Sequence, residues 1–176
     1  MKSVKPIIYL AGCFPVVIGI IGLIAVWRFV AQVKKEITPV NDIAKYESIL
    51  KEWKEFAPDI VNHFPEAIPS DAQNTEFYFK PRVLQSDSRI ELRYRTTPEN
   101  IESLYEEFSK LTTKSSYGGT LVHFPPNGGD ADIIELEEDW EIMHFDEDPD
   151  NLPEHSKEHG VMISREKKEI IYWADW

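Results

Sequence analysis

The chain has 176 residues, 19 Lys and Arg against 31 Asp and Glu, a formal net charge of −12 and a single cysteine. That length holds one domain plus an anchor. The negative surface repels phosphate backbones and excludes nucleic acid as a partner, and one cysteine excludes an intrachain disulfide.

The charge is unevenly placed. Residues 1–33 carry Lys2, Lys5, Arg28 and no acid, so the remainder sets 16 basic residues against all 31 acids, a net of −15. After a short basic tail, residues 1–6, the run from Ile7 to Trp27 has no charged side chain. Twenty-one residues at 1.5 Å rise cover about 31 Å, the depth of a bilayer's hydrocarbon core. Tyr9 and Trp27 stand where amphipathic rings prefer the headgroup zone. Pro15, Gly19 and Gly22, poor in a soluble helix, are tolerated in a spanning one. The sequence therefore predicts a transmembrane helix with its juxtamembrane end over residues 7–33, in contact with the lipid bilayer through Ile7–Trp27. No small-residue cleavage site follows, as a secretory signal would require. Leu10-Ala11-Gly12-Cys13 matches a lipobox, but only three apolar residues precede it and a long apolar run follows it. Lys2 and Lys5 face Arg28, Lys34 and Lys35 across the span. The short basic tail is the easier side to retain, which places the soluble domain outside the cytoplasm.

Residues 34–41 read as a linker, closed by Pro39, and 42–176 as an acidic soluble domain. Asn41 or Asp42 caps a helix whose apolar stripe is Ile43, Tyr46, Ile49, Leu50, Trp53 and Phe56. Pro58 and the stretch His63 to Pro69 read as loop. A strand over Phe77–Leu84, interrupted by Pro81, turns at Gln85–Ser88 into Arg89–Arg95, whose strict alternation puts Ile90, Leu92 and Tyr94 on one face and charges on the other. Thr97-Pro98 opens a second helix with Ile101, Leu104, Tyr105, Phe108 and Leu111 on its stripe. Short strands are expected at Gly119–Phe124 and within Ile133–Phe145. A last hairpin pairs Gly160–Ser164 with Glu169–Ala174 across Arg165–Lys168, and the aromatic tail ending at Trp176 is expected to pack. The predicted fold class is α+β: a transmembrane helix, then a mainly antiparallel sheet with two helices.

Two motifs bear on metal chemistry. His155-Ser156-Lys157-Glu158-His159 spells H-x-x-E-H, in which a helix would present two imidazoles to Zn²⁺. Pro153 and Gly160 bracket too short a segment for that helix, so a polar loop is the better reading. Asp146, Asp148 and Asp150 open like a D-x-D-x-D calcium loop, but Asn151 and Lys157 occupy the positions where an EF-hand needs Gly and Glu. Asp146, Asp148, Asp150, His155 and His159 are the candidate metal ligands. Residues 130–159 contain thirteen acids and one base, Lys157. Such a run is usually a solvated face; a sharper expectation is that it covers a cationic face built by Lys80, Arg82, Arg89, Arg93 and Arg95. There is no G-x-S-x-G and no phosphate loop; Tyr117-Gly118-Gly119 and Asn127-Gly128-Gly129 read as turns, and His63, His123 and His144 are scattered and read as packed or surface residues.

His63-Phe64-Pro65 with Ile68-Pro69 and Ala72, Phe77-Tyr78-Phe79 with Pro81 and Leu84-Gln85, and the closing Ile170-Ile171-Tyr172-Trp173-Ala174 together resemble a family of uncharacterised bacterial membrane-anchored proteins. The resemblance is patchy over 50–176. It implies a bacterial, envelope-facing protein and brings no catalytic or binding residue with it. The sequence points to a non-enzymatic binding or interaction domain at a membrane surface, without cofactor and with a possible protein partner in the membrane or envelope. The alternatives are a membrane-tethered metal-dependent hydrolase and an accessory subunit of a membrane complex.

Overall fold

The computed structural model describes residues 20–30, 38–81, 88–123, 132–145 and 158–176. The chain divides into two compact units, Met1–Thr38 and Pro39–Trp176. In the first, residues 20–30 are helical and their large apolar side chains, from Ile20 to Val30, are exposed on all sides. Most of the expected span Ile7–Trp27 lies outside the described residues. Among the described residues no helix is long and apolar enough to cross a membrane.

The second unit is α+β, with one six-stranded antiparallel sheet. Its strands are β1 (Gln73–Lys80), β2 (Arg89–Arg95), β3 (Lys114–His123), β4 (Asp132–His144), β5 (Glu158–Ser164) and β6 (Glu169–Asp175). The order across the sheet is β1-β2-β6-β5-β4-β3. The chain lays down the β1–β2 hairpin, crosses through a helix to the far edge, and meanders back until β6 closes beside β2.

Asp42 caps a 3-10 turn, Ile43–Lys45, by accepting from the Ala44 amide at 3.1 Å; helix α1 (Tyr46–Phe56) follows. Its stripe is narrower than the spacing implied. Tyr46 and Leu50 are buried, whereas Phe56 is 74% exposed. The expected loop at Pro58 is instead a one-turn helix, α2 (Pro58–Val61), with proline at its first position, where no amide is needed, and with Ile60 and Val61 buried. Thr97 caps α3 (Pro98–Ser109) through the Asn100 amide, and Ile101 and Phe108 are its buried residues.

Three strand expectations need correction. β1 stops at Lys80, before Pro81, because proline removes a ladder donor, and it begins earlier, at Gln73. Gly118 and Gly119 do not turn the chain. With φ of +63° and +132° they form a bulge inside β3, where the register with β4 shifts between Tyr117 and Gly119. Left-handed backbone suits glycine, and the bulge lets one long ribbon, Lys114–His123 against Asp132–His144, replace the two short strands expected. The final hairpin forms as expected, from Ile163 opposite Ile170 to Gly160 opposite Trp173. Trp176 packs on Trp53 with ring centroids 4.0 Å apart, and its backbone pairs with Ser88.

The central strands β6 and β5 bury side chains on both faces. One face joins Phe77, Ile90, Leu92, Tyr94, Met143, Val161, Ile163, Ile170 and Tyr172 to the helices in a single core. The other holds a smaller cluster of Trp140, Ile142, Met162, Ile171 and Trp173. The charges of β2 are covered to different degrees: Glu91 is 5% exposed, whereas the Arg95 side chain is half exposed. Among the described residues, acids of β2 and β6 pair with the arginines. Arg93 and Arg95 both bind Glu169, the latter at 3.3 Å, and Arg89 binds Asp175 at 2.8 Å and Glu91 at 3.2 Å. Antiparallel pairing of β2 with β6 sets these residues on neighbouring rungs. Part of the acidic segment meets another cation, Lys167, which lies 3.2 Å from Glu137 and 3.5 Å from Asp139. Arg82 lies outside the described residues.

Candidate functional site

A cleft of about 600 Å³ opens on the helical side of the domain. Its walls come from every layer on that side: Lys54 of α1, Asp59 of α2, the loop Asn62 to Glu66, the α3 residues Leu104, Glu107 and Phe108 with nearby Leu111, and Phe145, His159 and Tyr172 from the sheet side. The volume falls in the range of small-molecule sites.

Tyr172 lies beneath the cleft, in the core. It is buried, its hydroxyl is 3.0 Å from that of Tyr94, and burial raises its pKa well above that of a free phenol. Phe64 and Phe108 pack on its ring at 5.6 and 5.8 Å, and Phe145 packs on Phe108 at 5.6 Å. The loop that carries Phe64 is drawn in by that side chain, 2% exposed, and by the Tyr46 hydroxyl, which donates to the Pro65 carbonyl.

Fixing Phe64 carries His63 inward. Its ring lies 4.6 Å from Phe64, 5.3 Å from Phe145 and 5.4 Å from His159. As a residue His63 is half-buried, yet both ring nitrogens are sealed from solvent. Burial, and to a lesser degree His159, lowers its pKa to about 3, against the weaker opposing pull of backbone groups at Trp173, Gly160 and Ile60. His63 is neutral at physiological pH.

The rim is charged. Lys54 Nζ lies 3.3 Å from Glu66 Oε1. Among the described residues, no cation is paired with Asp59 or Glu107.

Of the candidate ligands, Asp146, Asp148, Asp150 and His155 lie outside the described residues. Glu158 and His159 stand on β5, in extended backbone, with His159 opposite Ala174. The helical geometry that H-x-x-E-H needs is not met at that end. His159 instead meets His63, a residue that spacing had left scattered. Among the described residues no group of three His, Cys, Asp or Glu side chains is placed to hold a metal ion. His144 lies on the opposite sheet face, against Trp173 at 5.4 Å. Sequence reasoning did not single out Asp59, His63, Glu107 and Tyr172 as one site, because they sit on four separate segments and no spacing links them. No protein-family model, no curated protein and no solved structure matches this sequence.

Proposed function

We propose that this chain is a single-pass membrane-anchored binding protein: Ile7–Trp27 lies in a bilayer, the acidic domain stands outside the cytoplasm, and the cleft on its helical side takes a small ligand. The cleft carries the reading. It joins the apolar side chains of Leu104, Leu111 and Phe145 to a few charged groups at the rim, the composition by which small-molecule sites combine affinity with orientation. Among the described residues, no Ser, Thr or Cys lines the cleft, and the ring nitrogens of His63 are sealed, which favours binding over catalysis. For the anchor, the support is the uncharged run from Ile7 and the apolar exposure all round residues 20–30, which suits lipid better than water. The domain's side of the membrane rests on the charge asymmetry around the span.

Alkaline extraction of membranes tests the anchor: full-length chain in the pellet supports it, and full-length chain in the supernatant refutes it. A reporter fused after Trp176 that works only in the cytoplasm would reverse the orientation. Leu111→Trp tests the cleft by filling it; a ligand whose stabilising effect survives that change binds elsewhere.

A second reading, a metal-dependent hydrolase, draws on the His63–His159 contact alone. It requires Zn²⁺ to raise the melting temperature of the full chain and His159→Ala to remove the increase.

A further inference from the structure

We propose that the outer edge of β3 pairs, antiparallel, with the same strand of a second copy of this chain, through Lys114–Tyr117. The inference is independent of the cleft. β3 ends the sheet, and among the described residues β4 is its single neighbour. The opposite end is closed. There the Val40 amide donates to the Phe79 carbonyl at 2.8 Å and the Phe79 amide to the Val40 carbonyl at 2.9 Å, so the rim of β1 is bridged. At the β3 end every residue from Thr113 to Tyr117 is exposed, Tyr117 to 68%. Successive residues of a strand point to opposite faces, so neither face is covered over this stretch. A strand open on both faces and along its rim is a template for another strand.

Charge and symmetry identify the occupant. The sequence of β3 contains no Asp or Glu, while each of the other five strands contains at least one. Two copies of a chain with net charge −12 repel wherever acids meet; across β3 they meet at an acid-free strand. With strands about 4.8 Å apart, the acid-rich β4 of one copy stands three spacings, about 14 Å, from that of the other, beyond the screening length of about 10 Å at 0.1 M salt. A two-fold axis normal to the sheet and centred between Ser115 and Ser116 runs the strands antiparallel. It sets Ser115 opposite Ser116 of the second copy, and Lys114 opposite its Tyr117. The Tyr117 hydroxyl hydrogen-bonds to Glu141 of its own β4. The arriving ammonium therefore meets an aromatic ring and a carboxylate together. The bulge at Gly118 and Gly119 bends β3 beyond this segment and limits the paired length. With the other rim bridged by Val40, the pairing closes as a dimer rather than growing into a filament.

The full chain in mild detergent is followed by sedimentation at about 0.05 M and about 0.5 M salt. Expected is a reversible monomer–dimer equilibrium that tightens about three-fold or more at the higher salt, because screening relieves the repulsion between acidic copies. Ser115→Glu combined with Ser116→Glu, both at exposed positions, sets carboxylates opposite one another at the axis. It should weaken the dimer about ten-fold or more, with the melting temperature little changed. In a Cys13→Ser background, a chain carrying Ser115→Cys mixed with one carrying Ser116→Cys should form a disulfide between copies on mild oxidation, since directly opposed residues hold their Cβ atoms about 4.5–5.5 Å apart. Phe56→Cys, exposed on α1, should not. The cross-link reads the pairing even where the charged variant fails to fold.

A chain that stays monomeric at both salts overturns the proposal. So does a dimer that withstands Ser115→Glu with Ser116→Glu and gives no cross-link, which belongs to another surface, or cross-linking through Phe56→Cys as efficient as that through Ser115→Cys and Ser116→Cys, which marks random collision. A chain that binds an unrelated extended peptide along β3 without self-associating would give the edge to another protein's strand and overturn the second copy as its occupant.

Discussion

Among the described glycines, Gly160 leaves the least room for a side chain. It sits on β5 opposite His144 of β4 and Trp173 of β6, so the strand is held on both sides. A Cβ added there would lie 2.1 Å from the carbonyl oxygen of Met143 and 3.1 Å from its carbonyl carbon. Carbon–oxygen contacts between strands relax at about 3.3 Å, so Gly160→Ala must part β4 from β5 by roughly 1 Å. The obstacle is backbone, and no side chain can swing aside. Overpacking of this kind costs about 1–3 kcal/mol, and stretching the neighbouring ladder hydrogen bonds adds about 1 kcal/mol. The sum, about 3 kcal/mol, lowers the melting temperature by roughly 9 °C for a domain of this size. The loss should extend to the cleft, because the Phe145 amide donates to the His159 carbonyl at 3.1 Å one rung away. Thermal unfolding of the full chain in mild detergent, followed by far-ultraviolet circular dichroism, reads the shift. A variant melting within 2 °C of the parent would show that β4 and β5 do not pair in this register.

Other consequences can be measured the same way. Tyr172→Phe strands the buried Tyr94 hydroxyl and should cost about 1–2 kcal/mol, while the double variant with Tyr94→Phe should cost less than the sum of the two singles, since both orphaned groups are gone; strict additivity would mean that the 3.0 Å contact carries no energy. Arg93→Glu sets a second carboxylate beside Glu169, whose side chain is 5% exposed. It should destabilise by about 2 kcal/mol, a figure reduced for the exposure of the neighbouring Arg95; a neutral effect in urea titration would show that the rung carries no net energy. His63 makes stability acid-sensitive. The unfolded ring takes up a proton below about pH 6.5, whereas the folded ring does so only near 3, so stability falls as pH drops through that window. By pH 5 the loss is about 2 kcal/mol relative to neutral pH. His63→Phe should flatten the slope between pH 7 and 5, and equal slopes in the two proteins would place the ring in solvent.

Local chemistry was legible wherever one segment decides its own form. Thr97-Pro98 announced α3, the alternation of Arg89–Arg95 announced β2, and the two apolar runs around Arg165–Lys168 announced the last hairpin, because caps, periods and turns act over a few residues. The α+β class followed from their order. What sequence could not say was whether a face would be covered. The charged side of β2 reads as solvent-facing; Glu91 is instead buried, and β6 beside it brings Glu169 and Asp175 to the arginines. Gly118-Gly119 reads as a turn until β4 is present to make it a bulge.

The uncharged run from Ile7 to Trp27, the acidity of the chain beyond residue 33, and the strands and helices whose periodicity is local are all legible in residue order. The strand order, the second buried face, and the meeting of His63, Glu107, His159 and Tyr172 around one cleft emerge with the folded domain. Periodicity and capping are set by neighbours a few bonds away, whereas a site is made by contacts between segments far apart in the chain, and their burial depends on which surfaces the whole domain brings together.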